Sequence, residues 1–133
     1  MANKSRLEYH LVLVTKHHKP VLTPEIMKTS INAISNALKN LNVDVIEIKG
    51  DQQNHIHALI SLKPSQSISV VVRYAKQMST WQSWKEHGPL LRKDYWYKNV
   101  LWSRGYFCES VGVDNERIIQ YIKNQESKIH PQA

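Results

Sequence analysis

Asn54-His55-Ile56-His57-Ala58-Leu59-Ile60 places two histidines two residues apart at the head of an apolar, β-prone run. In an extended strand alternate side chains share a face, so His55 and His57 project together while Ile56 points into a core. Two neutral imidazoles on one rigid strand supply part of a metal site, suited to Zn, Mn, Ni, Cu or Fe, and a third ligand has to come from elsewhere. A pair of ordinary strand histidines would show the same spacing, so the motif by itself leaves both readings open.

The segments on either side extend the strand into a fold. Gly50-Asp51-Gln52-Gln53-Asn54 is turn chemistry, which predicts a hairpin between 43–49 (VDVIEIK) and 55–62. In the first of these strands Val43, Val45, Ile46 and Ile48 supply the apolar side. Upstream, 6–15 (RLEYHLVLVT) reads as a strand, and Leu11-Val12-Leu13-Val14 is apolar on both faces, as in the centre of a sheet. Thr23-Pro24-Glu25 opens a helix with a hydroxyl cap, proline in the first turn and an acid beside it. Ile26, Ile31, Ile34, Ala37, Leu38 and Leu41 give that helix its buried stripe.

Downstream, 63–67 closes the histidine strand and caps a second helix over about 68–85, with Val71, Val72, Ala75, Met78 and Trp81 inward and Arg73, Lys76 and Lys85 outward. Gly88-Pro89 breaks the helical pattern. The basic, aromatic stretch 90–97 (LLRKDYWY) suits either stacking of unpaired bases or closure of the core. A fourth strand is expected over 99–110, with a kink at Gly105, then a linker at 111–113 and a last helix over about 114–129. The order β-α-β-β-α-β is the split arrangement of ferredoxin-like and RRM-like domains. The expected fold is therefore α+β: one antiparallel sheet, helices on one face, and an additional C-terminal helix. All of it fits one domain, 1–133.

Composition bounds the partners. Eighteen Lys and Arg against eleven Asp and Glu give a formal charge of +7, which favours a polyanion, nucleic acid above all. Lys16-His17-His18-Lys19 leaves the end of a central strand, where a phosphate contact and a solvated turn are equally consistent. One cysteine, Cys108, excludes an internal disulfide and fits a reducing compartment. Absence of an apolar leader, or of any apolar run near ~20 residues, leads to the expectation of a soluble intracellular protein with no membrane partner.

On the last helix Tyr121 and Gln125, four residues apart, lie on one face. Periodicity does not single Tyr121 out from the six tyrosines. Resemblance does. His55-Ile56-His57 resembles the histidine-hydrophobe-histidine (HUH) motif of single-stranded DNA endonucleases, and Tyr121-Ile122-Lys123-Asn124-Gln125 resembles the tyrosine helix of IS200/IS605-type single-tyrosine transposases. His10-Leu-Val-Leu-Val-Thr-Lys16 with Pro20-Val21-Leu22, and Trp102-Ser-Arg-Gly-Tyr-Phe107, are similar to that family too. The chain departs from the family pattern at Gln53-Asn54, where an acidic residue is common, and at Arg104, where proline is frequent.

The resemblance implies a transposase that cleaves and rejoins single-stranded DNA at hairpin-bearing element ends. It implies His55, His57 and Gln125 as ligands of one divalent ion, Mg2+ or Mn2+, and Tyr121 as the nucleophile of a 5′-phosphotyrosine intermediate. It also implies a homodimer whose active sites are completed in cis or in trans by the tyrosine helix. Arg6, Lys16, His17, Lys19, Arg73, Lys76 and Arg104 are the candidate DNA contacts. Two competing readings are a non-catalytic single-stranded nucleic-acid-binding module and a domesticated nicking enzyme of the same superfamily.

Overall fold

The computed structural model describes residues 6–111 and 122–124. β1 (Leu7–Val14) leads through a 3-10 turn at Lys16–His18 to α1 (Pro24–Asn40), then to the hairpin of β2 (Asp44–Asp51) and β3 (His55–Leu62). α2 (Ile68–Leu91) and β4 (Phe107–Val111) follow. The sheet order is β2-β3-β1-β4 and every pairing is antiparallel. This is the expected α+β sheet with helices packed on it; the expected tyrosine helix lies outside the described residues except at 122–124.

Local chemistry accounts for the elements. The Thr23 hydroxyl accepts from the Ile26 N–H and Pro24 takes the first helical position of α1, where its missing donor costs nothing. Ser67 caps α2 in the same way through the Val70 N–H. Ile26, Ile34, Ala37 and Leu38 of α1 and Val71, Val72 and Ala75 of α2 join one buried cluster with Leu11 and Leu13 of β1 and Ile56, Ala58, Ile60 and Leu62 of β3. Both helices therefore cover the same sheet face. Each Val, Leu or Ile among them contributes on the order of 2 kcal/mol of burial. Strand β3 is buried on its other face too, where Leu59, like Val12 of β1, is buried outside that cluster.

Four expectations are corrected. Trp81, expected on the inward stripe of α2, is 55% exposed. The fourth strand begins at Phe107, not at 99: Trp102 makes only an isolated bridge to Thr15, and the Ser103 N–H and hydroxyl both bond Val14 O. Gly105 then turns the chain with a φ of 74° into the strand, which also takes in Val111. The expected break at Gly88-Pro89 is present as a kink at His87 (φ −130°, ψ 25°), but the helix resumes beyond it and α2 runs to Leu91 and not to about 85. That departure lets the helix resume past Pro89 without the N–H the ring lacks, and the Arg92 N–H bonds Gly88 O. In β2 a register shift between Val45 and Glu47 turns Ile46 outward, so it is exposed and not part of the apolar side.

The histidine end of the hairpin is braced from outside. Gln52 and Gln53 both take left-handed backbone angles (φ 54° and 58°), as do His17 and His18 (59° and 56°). Such conformations persist in non-glycine residues when their surroundings hold them. Here the Leu22 N–H bonds Gln53 O, the Asn54 amide donates to His18 O, and the Thr15 N–H bonds Asn54 O.

Candidate functional site

On the sheet face away from the helices, β3 presents His55 and His57 with ring centroids 6.2 Å apart and planes 26° from parallel. The alternation expected of the strand thus holds, and Ile56 points into the core. In the register of β1 against β3, His57 pairs with Val12 and Leu59 with His10. His10 is consequently the diagonal neighbour of His57, near enough for long side chains to touch. His10 Nε2 lies 3.2 Å from His57 Nδ1 with the rings stacked at 5.4 Å. From β2, Asp51 sets Oδ2 at 3.6 Å from His57 Nε2. His18 stands edge-on to His55, centroids 6.2 Å apart.

Hydrogen bonding decides which nitrogen of His55 is exposed to a ligand. The Asn54 side chain points its NH2 at His18 O, 3.2 Å away, and its oxygen at His55 Nδ1. A carbonyl can only accept, so His55 Nδ1 must carry the proton and Nε2 the lone pair. That arrangement orients an imidazole for metal binding through Nε2. For His57 the neighbour at Nδ1 is His10, while Nε2 faces the Asp51 carboxylate.

The electrostatics favour neutral rings. Burial, together with the neighbouring His10 and His55, lowers the His57 pKa to about 4. Burial also lowers His55, with Asp51 opposing and His18 adding to the shift. His10 is lowered by burial against the pull of Glu109. Neutral imidazole is the form that ligates a metal. The donor set therefore fits part of a divalent site. Among the described residues no group of three His, Cys, Asp or Glu side chains forms a ready-made metal site. The candidate third ligand Gln125 and the candidate nucleophile Tyr121 both lie outside the described residues. Between them, Ile122 is helical and fully buried, and Lys123 and Asn124 are exposed.

The candidate DNA contacts do not all gather at this site. Arg6 precedes β1 at the end opposite His55 and His57, bonds Ser61 through Nε and NH2, and pairs with Asp44 at 3.3 Å. Lys19 faces Asp94 at 3.9 Å, and exposed His17 meets Tyr97 Oη at 3.3 Å. Arg73 is exposed on α2. Lys16, Lys76 and Arg104 line a common cavity beside α2. The aromatic stretch divides: Tyr95 is fully buried, while Trp96 and Tyr97 are exposed. Sequence reasoning missed His10 and Asp51 as members of the histidine cluster. The signal for His10 was its even spacing from Val12 and Val14 on β1, but placing it against His57 requires the strand register.

Comparison with known proteins assigns the class. A family model described as IS200-like transposases matches residues 3–125. The transposase for insertion sequence element IS200 from Salmonella typhimurium is 29% identical over 119 residues, covering 89% of this chain and 76% of that protein. The ISDra2 transposase TnpA from Deinococcus radiodurans is 32% identical over 127 residues, covering 92% and 86%. In fold, a crystal structure from Deinococcus radiodurans R1, of a protein assigned as a transposase, superposes with a TM-score of 0.73 at 24% identity, covering 95% of each chain. A REP-associated tyrosine transposase, solved bound to a REP hairpin, gives 0.61 at 14% identity over 92% of this chain and 67% of that one. The chain belongs to the IS200-like transposase family. It is thus a DNA-binding enzyme of DNA transposition.

Proposed function

We propose that this transposase cleaves and rejoins single-stranded DNA at hairpin-bearing element ends through a covalent link to Tyr121. The observation that carries the reading is the pair of neutral imidazoles on one face of β3, with His55 Nδ1 bonded to Asn54 and His57 Nδ1 against His10. His55 and His57, with the amide oxygen of Gln125, would hold one Mg2+ or Mn2+, ions that favour oxygen ligands and retain water. When bound, such an ion supplies charge that polarises a phosphate oxygen and holds the phosphodiester for in-line displacement.

The remaining steps belong to the chain. The Tyr121 phenol oxygen attacks phosphorus, the bond from phosphorus to the 3′ oxygen breaks, and that oxygen leaves as a hydroxyl. The phenol's proton is given up as the 3′ hydroxyl gains one. A phenol of pKa ~10 is mostly protonated at neutral pH, so the site has to favour its ionised form. The 5′ phosphate stays on Tyr121. Because the link conserves the energy of the phosphodiester, a 3′ hydroxyl from another end can attack it and rejoin the strand. The hairpin held by the REP-associated neighbour supports hairpin ends as the substrate. The chain acts as a single domain, inside the cell, as a homodimer with the tyrosine helix completing a site in cis or in trans. No helix among the described residues is long and apolar enough to cross a membrane.

The test uses single-stranded oligonucleotides spanning the DNA that flanks the gene, labelled at the 3′ end and incubated with Mg2+ or Mn2+. The expected result on a denaturing gel is label carried at the protein's mass, absent in Tyr121→Phe and in His57→Ala. A retarded native band with no covalent species would establish a binding module instead.

A further inference from the structure

A cavity of about 730 Å3 opens between α2 and the segment 99–104. Its walls are three of the four tryptophans, Trp81, Trp84 and Trp102. Four cations line it, Lys16, Lys76, Lys85 and Arg104, and among the described residues no carboxylate does. Two walls are fixed in place: the Trp84 indole donates to Val100 O at 2.8 Å and the Trp102 indole to Ser79 Oγ at 2.9 Å. The Lys76 ammonium donates to Ser103 O and Gly105 O, tying the far segment to the helix. With their polar edges spent internally, Trp84 and Trp102 offer apolar surface to the cavity. Trp81 differs in being 55% exposed, with the Lys85 ammonium 4.9 Å from its ring centroid.

We infer that this cavity receives an unpaired base of the single-stranded DNA, with Trp81 as the stacking platform and Lys85, Lys16 and Arg104 as partners for the adjoining phosphates. Base-on-indole stacking needs an exposed ring with a free base face. Phosphate neutralisation needs cations without competing carboxylates, and the cavity supplies both. A base of ordinary size fills a fraction of 730 Å3, so the cavity admits either purines or pyrimidines. The amides of Gln77 and Asn99 on the rim offer both donors and acceptors to a base edge. Two backbone contacts join the cavity to the turn that precedes the histidine strand. Trp102 bridges Thr15, whose N–H bonds Asn54 O next to His55. The inference rests on the single-stranded substrate proposed above, but it concerns recognition and not chemistry.

The test is tryptophan fluorescence of the full chain titrated with a ten-nucleotide thymidine oligomer in chelator, so that cleavage plays no part. The expected result is strong quenching, with affinity falling roughly 5- to 100-fold in Trp81→Ala, as for loss of one stacked base. Lys85→Gln should weaken binding and flatten its salt dependence. A blunt ten-base-pair duplex should quench little. Equal affinity in parent and Trp81→Ala overturns the inference while leaving covalent capture by Tyr121 untouched. A changed oligomeric state of Trp81→Ala with unaltered oligomer binding would also overturn it and mark the face as a protein interface. Failure of covalent capture with loss of quenching in Trp81→Ala would sink the proposed chemistry and keep the base site.

Discussion

His10 Nε2 lies 3.2 Å from His57 Nδ1, across two strands that approach from residues 47 positions apart in sequence. The contact occupies the nitrogen of His57 that faces away from Asp51, and stacking of the two rings sets the plane of the second. His10→Ala is expected to keep the fold, since His10 lies outside the helix-side core, and to lower Mn2+ affinity on the order of tenfold, as for loss of an orienting partner. Calorimetric titration of Mn2+ into parent and variant decides it. Identical affinities would show that His57 is oriented without His10.

The buried imidazoles make the metal-free protein acid-sensitive. The folded-state pKa of His57, about 4, lies below its unfolded value near 6.5, so below pH 6.5 the unfolded chain binds more protons than the folded one. Stability is therefore full above pH 6.5 and is lost as pH falls towards 4, by about 3 kcal/mol at most from this residue. His10 and His55 are shifted the same way and add to the slope. Urea denaturation in chelator between pH 7.5 and 4.5 should show the decline, and His57→Gln should flatten it. A parallel decline in the variant would remove His57 as a cause.

Tyr95 is fully buried and donates to Lys16 O at 2.7 Å. Burial pushes its phenol up to about 12, the opposite of what a nucleophile at neutral pH requires. Tyr95→Phe should cost about 1 kcal/mol of stability, the ordinary worth of one such bond, and leave covalent capture of DNA intact. Denaturation midpoints and the labelled-oligonucleotide assay read the two effects separately. Loss of capture without loss of stability would move the nucleophile's role towards Tyr95.

Between the helices, the buried hydroxyls of Ser30 and Ser83 meet at 3.1 Å. Either Ser→Ala change strands its partner in an apolar interface, at a cost of about 1–3 kcal/mol. The double variant removes both polar atoms and should be more stable than the sum of the single changes allows. A double-mutant cycle by thermal unfolding measures this; strict additivity would mean that the two hydroxyls do not interact in solution.

How far the amino-acid sequence carried the argument depended on whether a signal was local. Thr23-Pro24 and Ser67 announced their helices because caps act over three residues, and the turn at 50–54 announced the hairpin. Period two put His55 and His57 on one face. Non-local effects were missed. Trp102 sits among β-prone neighbours yet spends its backbone on one bridge and its indole on Ser79, so the fourth strand starts five residues later. Ile46 looked inward until the bulge turned it out. His10 and Asp51 join the histidine cluster only through strand register, which no spacing within one strand reveals.

Thr15, fully buried, is met by a different segment at its N–H, at its hydroxyl and at its bridge. Its N–H meets Asn54 O, its hydroxyl donates to Lys19 O at 2.7 Å, and its backbone bridges Trp102. Exchange of that one amide proton with solvent thus requires the hairpin turn to part from β1. Its exchange rate, followed residue by residue, is a built-in gauge of how often this end of the sheet opens, and ligands that clamp the end should slow it.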